Sequence, residues 1–185
     1  MRNLKQLARL VASAAVLAFA TASALAAQTT TVILVRHAEK AAAPAADPPL
    51  TPEGEARARD LWAAVKDAGV SAIISTQFLR TKATVQPAAA ALGLTPEIIP
   101  ASGANHAQVV ADAVKKHAGH TVLVVGHSNT VPGIIAALGA TKPADICDLE
   151  YDNLYIVTLG ADGKAGLVRS KYGVRTVDTS CASMK

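Results

Sequence analysis

Aromatic residues are scarce: two Phe, one Trp and three Tyr in 185 residues, or 3%. That argues against a surface that binds nucleic acid by stacking bases. The core must be built from Ala, Val, Leu and Ile, with helices lying close on a sheet. Cysteine is nearly absent. Cys147 and Cys181 are the only two, and their spacing is not that of a zinc site. Such a pair can bridge in an oxidising compartment, and the sequence leaves the bridge open. No acidic metal cluster is visible, so neither a metal nor a cofactor is expected. Charged residues are only 17% against 51% hydrophobic, which favours a packed domain over disorder. No internal repeat or interdomain linker is evident, and the length suits one domain.

The amino-terminal stretch is read separately from the fold. Arg2, Lys5 and Arg9 give a positive start, and Leu10 to Leu25 is apolar or small without a charge. Ala24-Leu25-Ala26 then places small residues where a signal peptidase reads. The run is interrupted by Ser13, Thr21 and Ser23 and is short for a spanning helix. Residues 1–26 are therefore expected to be a secretory signal and 27–185 the mature domain, exported to the periplasm or medium without stable membrane insertion. Removing the three basic residues lowers the formal charge from +4 to +1. A nearly neutral domain gives no footprint for a nucleic-acid partner.

The mature chain alternates strand and helix. Thr29 to Val35 is β-branched and continuously apolar, as expected of a strand covered on both faces. Thr51 can cap a helix with Pro52 at its first position and Glu53 and Glu55 near its positive end. That helix is expected to run to about Ala68, with Gly69 ending it. Ser71–Ser75 is a short strand, and Phe78 to about Leu92 a helix stopped by Gly93. Glu97–Ile99 is a third strand and Asn105–His117 a third helix. Thr121–Val125 is another buried strand, with a short helix on to Leu138. Leu154–Leu159 and Gly166–Ser170 pair as a hairpin around Ala161-Asp162-Gly163. The order predicts a three-layer α/β/α sandwich on a mostly parallel sheet. Folding that hairpin also brings Cys147 and Cys181 to nearly opposite positions beyond its open end.

Chemistry gathers at strand ends. Arg36-His37 follows the first strand and Gly126-His127 the fourth. Ligands of open α/β sheets bind beyond the carboxyl ends of the strands. Arg80, at the start of the second helix, can reach the same rim, and the helix start at Ser128–Thr130 suits an anion. Taken singly, each of these residues has a duller reading as a structural histidine, a surface cation or a helix cap. Their convergence points to a phosphate site. Arg offers fixed, permanently charged forks for phosphate oxygens. Neutral imidazole is a nucleophile at physiological pH, and cationic donors stabilise charge on a transferring phosphoryl group.

Four segments in order resemble the histidine phosphatase superfamily, the group that includes phosphoglycerate mutase. Leu34-Val35-Arg36-His37-Ala38-Glu39-Lys40 resembles its Arg-His opening, and Pro49-Leu50-Thr51-Pro52-Glu53-Gly54 its Leu-Thr-x-x-Gly segment. Ser75 through Arg80-Thr81 and Thr84 resembles its Ser-x-x-x-x-Arg-Thr-x-x-Thr helix start. Val124-Val125-Gly126-His127-Ser128 resembles its second-histidine segment. The resemblance implies that His37 becomes phosphohistidine and that Arg36, Arg80 and His127 complete the phosphate pocket, acting on a small phosphorylated substrate. It departs from the family where a Glu proton donor is common: Ile99 to Asn105 holds no acid. The position after the second histidine, Asp in the phytase-like branch, is Ser128. His106 is a weak stand-in as proton donor, Glu150 and Asp152 weaker ones. Without an acid, a phosphate ester or anhydride with an undemanding leaving group is expected; mutase activity is not, because the chain reads as exported and lacks the longer insertions that shape a mutase pocket in the family it resembles. The competing readings are a phosphate-binding envelope protein without turnover and a phosphohistidine protein phosphatase.

Overall fold

The computed structural model describes residues 29–177 together with Thr179 and Cys181; the expected leader over residues 1–26 lies outside the described residues. The elements are β1 (Thr30–Arg36), α1 (Pro52–Val65), β2 (Val70–Ser75), α2 (Leu79–Leu92), β3 (Glu97–Ile98), α3 (His106–Lys115), β4 (Thr121–Gly126), α4 (Thr130–Ala137), β5 (Asn153–Leu159) and β6 (Ala165–Lys171). One six-stranded sheet runs in the order β3-β2-β4-β1-β5-β6. The β1–β4, β2–β4 and β2–β3 pairings are parallel. The hairpin adds antiparallel pairings of β5 with β1 and with β6.

The continuous apolarity of β1 and β4 follows from burial on both faces. Val32, Leu34, Val122 and Val124 pack with Val110, Val114, Ile134 and Ile135 of α3 and α4. Ile33, Val35, Leu123 and Val125 pack on the opposite face with Leu61, Val65, Val85 and Ala88 of α1 and α2. Alternate side chains of one strand thus enter two separate cores, giving the three layers expected. Expected and observed elements differ by a few residues. Helix α1 ends at Val65, and the turn after it reaches Gly69 at φ +67°. Strand β3 is only two exposed residues.

Local chemistry explains the edges of these elements. Thr51 caps α1, its Oγ1 accepting from the Gly54 amide at 3.1 Å. A Cβ at Gly54 would collide with the carbonyl oxygen of Glu39, so only glycine lets this helix approach the segment leaving β1. Arg57, 4% exposed, closes the same region. Its Nε reaches both carboxylate oxygens of Glu39 at 2.8 and 2.9 Å, and its other nitrogens donate to the carbonyls of Tyr172 and Val174. Burial works against the Arg57 charge, but hydrogen bonding and charge from Glu39 outweigh it and raise its pKa. Cys147 and Cys181 form a disulfide with Cα atoms 5.8 Å apart. No helix among the described residues is long and apolar enough to cross a membrane.

Candidate active site

Strand register brings the two histidines together. Arg36 pairs with Gly126 at the end of the parallel β1–β4 ladder. The His37 amide then donates to the Gly126 carbonyl at 2.9 Å. The residues that follow, His37 and His127, sit side by side with ring centroids 5.4 Å apart. Arg36, His37, Arg80 and His127 line one open cleft of about 330 Å³, joined by Lys40, Phe78, Ala101, Ser128, Asn129, Thr130 and Asp148.

The tautomer of His37 follows from its partner. Nδ1 lies 2.8 Å from the carbonyl oxygen of Ala38. A carbonyl can only accept, so Nδ1 carries the proton and Nε2 the lone pair. Burial, with the charges of Arg36, His127 and Arg80 added, pushes the His37 pKa down to about 3. The ring is therefore neutral across the physiological range.

His127 is held differently. Its Nε2 lies 3.1 Å from Thr76 Oγ1, which in turn lies 2.8 Å from Thr81 Oγ1. The Thr81 hydroxyl also donates to the Phe78 carbonyl at the start of α2. With Nε2 engaged, Nδ1 is the nitrogen left for a bound oxyanion. Burial chiefly, then the charges of Arg80, His106 and Arg36, lower the His127 pKa to about 4. Phe78 packs edge-on against the ring at 5.4 Å.

The arginines are oriented by neighbours of two kinds. Arg36 is 4% exposed. Its Nη1 donates to three main-chain carbonyls, of Cys147 at 2.7 Å, Asp148 at 2.9 Å and Glu150 at 3.2 Å. Its guanidinium stacks over the Tyr151 ring at 4.4 Å, and Nη2 is 3.9 Å from the Asp148 carboxylate. Burial lowers its pKa against the pull of Tyr151 and Asp148. Arg80 stacks on the Phe78 ring at 4.2 Å, and its Nη1 is 3.6 Å from Asp47. The Nε atoms of both arginines are buried without a partner among the described residues. Buried donors of this kind call for an acceptor, and two from arginines lining one cleft suit the oxygens of a phosphoryl group.

Other expectations fare unevenly. The Thr positions of the helix motif are structural: Thr84 accepts from the Ala38 amide at 3.0 Å while donating to the Arg80 carbonyl, so it ties the exit of β1 to α2. His106 does not line the cleft. Its Nδ1 faces the Pro100 carbonyl at 2.9 Å, and its Nε2 is buried without a hydrogen bond among the described residues. Asp152 is fully buried and bound to Lys171, Arg175 and Thr176. Glu150 contributes its carbonyl to Arg36 and its carboxylate to Asn153.

The loop 41–49 supplies Asp47, which accepts from the Leu79 amide at the start of α2 and faces Arg80. Thr76, Tyr151 and Asp148 also escape sequence reasoning. Thr76 sits inside the Ser75–Arg80 motif, and that position was its signal; Tyr151 and Asp148 carried none.

The family model described as the histidine phosphatase superfamily, branch 1, matches residues 32–102, which hold His37 and Arg80. Over that stretch the chain is similar to the histidine phosphatase superfamily. Its fold is similar to the protein histidine phosphatase SixA complexed with tungstate: 21% identity over 76% of this chain and 96% of that one, TM-score 0.60. It is similar also to a phosphoserine phosphatase from Entamoeba histolytica in complex with 3-phosphoglyceric acid, at 17% identity over 78% and 98%, TM-score 0.60. A mycobacterial glucosyl-3-phosphoglycerate phosphatase matches at 12% identity over 75% and 97%, TM-score 0.58. No curated protein sequence matches the chain.

Proposed function

We propose that the chain is a phosphatase working through a phosphohistidine on His37. The observation that carries the reading is the His37 ring itself. Its Nδ1 is committed to a carbonyl, its pKa is far below neutrality, and it lines a cleft with two arginines and a second histidine. Nε2 attacks phosphorus, an N–P bond forms, and the bond to the leaving oxygen breaks. Water then attacks phosphorus, the N–P bond breaks, and the electron pair returns to Nε2 with release of inorganic phosphate. Arg36, Arg80 and His127 hold the equatorial oxygens, where charge spreads in the transition state. They supply that stabilisation without a metal ion.

Substrates whose leaving groups need little protonation fit best. The one carboxyl group lining the cleft among the described residues, Asp148, has a 93% exposed side chain, so it is not held against a leaving group inside the pocket, and proton delivery depends on such positioning. A phosphate ester or anhydride is the substrate class on this reading, and export is part of it. The leader-like residues 1–26 support export, as does the Cys147–Cys181 bridge, since disulfides persist in oxidising compartments.

The test is hydrolysis of p-nitrophenyl phosphate without added metal, beside a His37→Ala variant, with acid-labile phosphoenzyme trapped by rapid quench. Turnover and a trapped phosphoenzyme, both lost in the variant, are expected. Phosphate binding without turnover in the native chain would make the cleft a binding site and end the phosphatase reading.

A further inference from the structure

The guanidinium of Arg36 is held by main-chain oxygens of a segment that has no regular secondary structure. Between Gly139 and Tyr151 the chain forms neither helix nor strand. Yet three of its carbonyls converge on one nitrogen of Arg36. Nη1 has two protons, so these acceptors saturate it and fix the plane of the guanidinium, leaving Nε and Nη2 for an anion. The first of the carbonyls belongs to Cys147, which is 3% exposed. Its side chain is tied to exposed Cys181 near the end of the chain. The same Cys147 oxygen also accepts from the Glu150 amide at 3.0 Å, closing the turn that presents the other two carbonyls. A cavity of about 350 Å³ runs along the bridge, lined by Asp145, Ile146, Cys147 and Cys181, and shares Ser128, Asn129 and Asp148 with the cleft.

We propose that the Cys147–Cys181 disulfide is a positioning element of the phosphate site. It fixes the carbonyl cradle that aims Arg36, so the affinity of the cleft for phosphate depends on the oxidation state of the bridge. The proposal rests on the phosphatase reading only for its effect on turnover; the effect on phosphate binding stands without it. A dithiol reductant supplies two electrons and two protons. The S–S bond breaks, two thiols form, and the dithiol closes to its own disulfide. A thiolate of the dithiol attacks the sulfur of exposed Cys181, Cys147 leaves as thiolate and takes up a proton, and the second thiolate of the reductant then displaces Cys181. Once cut, Cys147 is held by its main-chain contacts alone, and the guanidinium plane is no longer fixed.

The experiment uses the full mature chain in three states: oxidised, treated with dithiothreitol and then reoxidised, and carrying Cys181→Ser. Inorganic phosphate is titrated calorimetrically, p-nitrophenyl phosphate turnover is followed, and circular dichroism checks that each state is folded. Reduction and Cys181→Ser are each expected to weaken phosphate binding about tenfold, the effect of loosening one charge-assisted contact. Reoxidation restores the wild type, and dithiothreitol does nothing further to Cys181→Ser. The same comparison in an Arg36→Lys background separates positioning from general stability. Lysine cannot use the cradle as a fork, so the bridge's effect should vanish there. Unchanged phosphate affinity in the reduced, folded wild type would overturn the proposal. So would a loss of equal size in the Arg36→Lys background. Absent turnover in the oxidised wild type, with phosphate affinity still dependent on the bridge, would fault the phosphatase reading and leave this one intact.

Discussion

Lowering the pH from 8 to 5 should strip the protein of a sizeable part of its stability through two residues. His37 and His127 are 3% and 9% exposed, and their pKa values fall from 6.5 in the unfolded chain to about 3 and about 4 in the fold. Between those limits the unfolded chain binds protons that the folded chain refuses. Stability is therefore complete above 6.5 and is lost as the pH falls towards the folded values. At pH 5 each unfolded imidazole gains about 2 kcal/mol from protonation, so the pair costs ~4 kcal/mol. That is a large share of the roughly 5–15 kcal/mol typical of a domain, about a quarter or more. Carboxylates that are stabilised in the fold, such as Asp152, act mainly below this window. Urea unfolding of the disulfide-intact protein at pH 8, 6.5 and 5 measures the loss. The same series on a His37→Gln, His127→Gln double variant isolates the two rings. The wild type should lose about 4 kcal/mol more than the variant across that range. Equal losses would show that the rings are not buried neutral, and the account of His37 as a lone-pair nucleophile would fall with them.

Two further substitutions probe the residues that aim the pocket. Asp47→Ala removes the acceptor for the Leu79 amide and the counter-charge of Arg80. Thermal melting should show a loss of about 1 kcal/mol for the uncapped helix, and phosphate titration a severalfold weaker site; an unchanged melting curve and affinity would refute the role. Thr76→Val deletes the hydroxyl beside His127 Nε2. Loss of about 1 kcal/mol of orientation should slow p-nitrophenyl phosphate turnover five- to tenfold, and an undiminished kcat would mean that Phe78 packing alone holds the ring.

The layered fold could be read from the chain because its signals are local. Val32 to Val35 and Val122 to Val125 have no polar interruption, which marks strands sandwiched between two helical layers. Thr51-Pro52 and Gly93 write helix ends into the sequence through capping and φ. Arg36, His37, Arg80 and His127 were equally visible, because each ends or follows a strand or opens a helix. What stayed hidden is contact through space. Arg36 is oriented by the oxygens of Cys147, Asp148 and Glu150, and a main-chain carbonyl leaves no trace in residue identity. Asp47 lies 33 positions from Arg80 in a stretch of Ala and Pro, and nothing local announces the pairing. His106 looked available because it is an isolated histidine near a rim loop; the Pro100 carbonyl that holds its Nδ1 is visible only once the loop is folded.

The place of β1 in the sheet divides the cleft into two halves of different origin. On one flank β1 has a parallel neighbour, β4, and the residues arriving there come from strand-to-helix turns that the helices hold rigidly. On the other flank its neighbour is the antiparallel β5, whose first residues lie beside the end of β1. The connection into β5 therefore reaches the same rim and brings Asp148 and Tyr151 with it. This second bank is an irregular crossing rather than a turn packed between layers, so it can lengthen, shorten or change sequence without shifting the register that sets His37 beside His127. Exposed side chains on this bank, such as that of Asp148, can change what the rim touches, provided the Cys147, Asp148 and Glu150 carbonyls still hold Arg36.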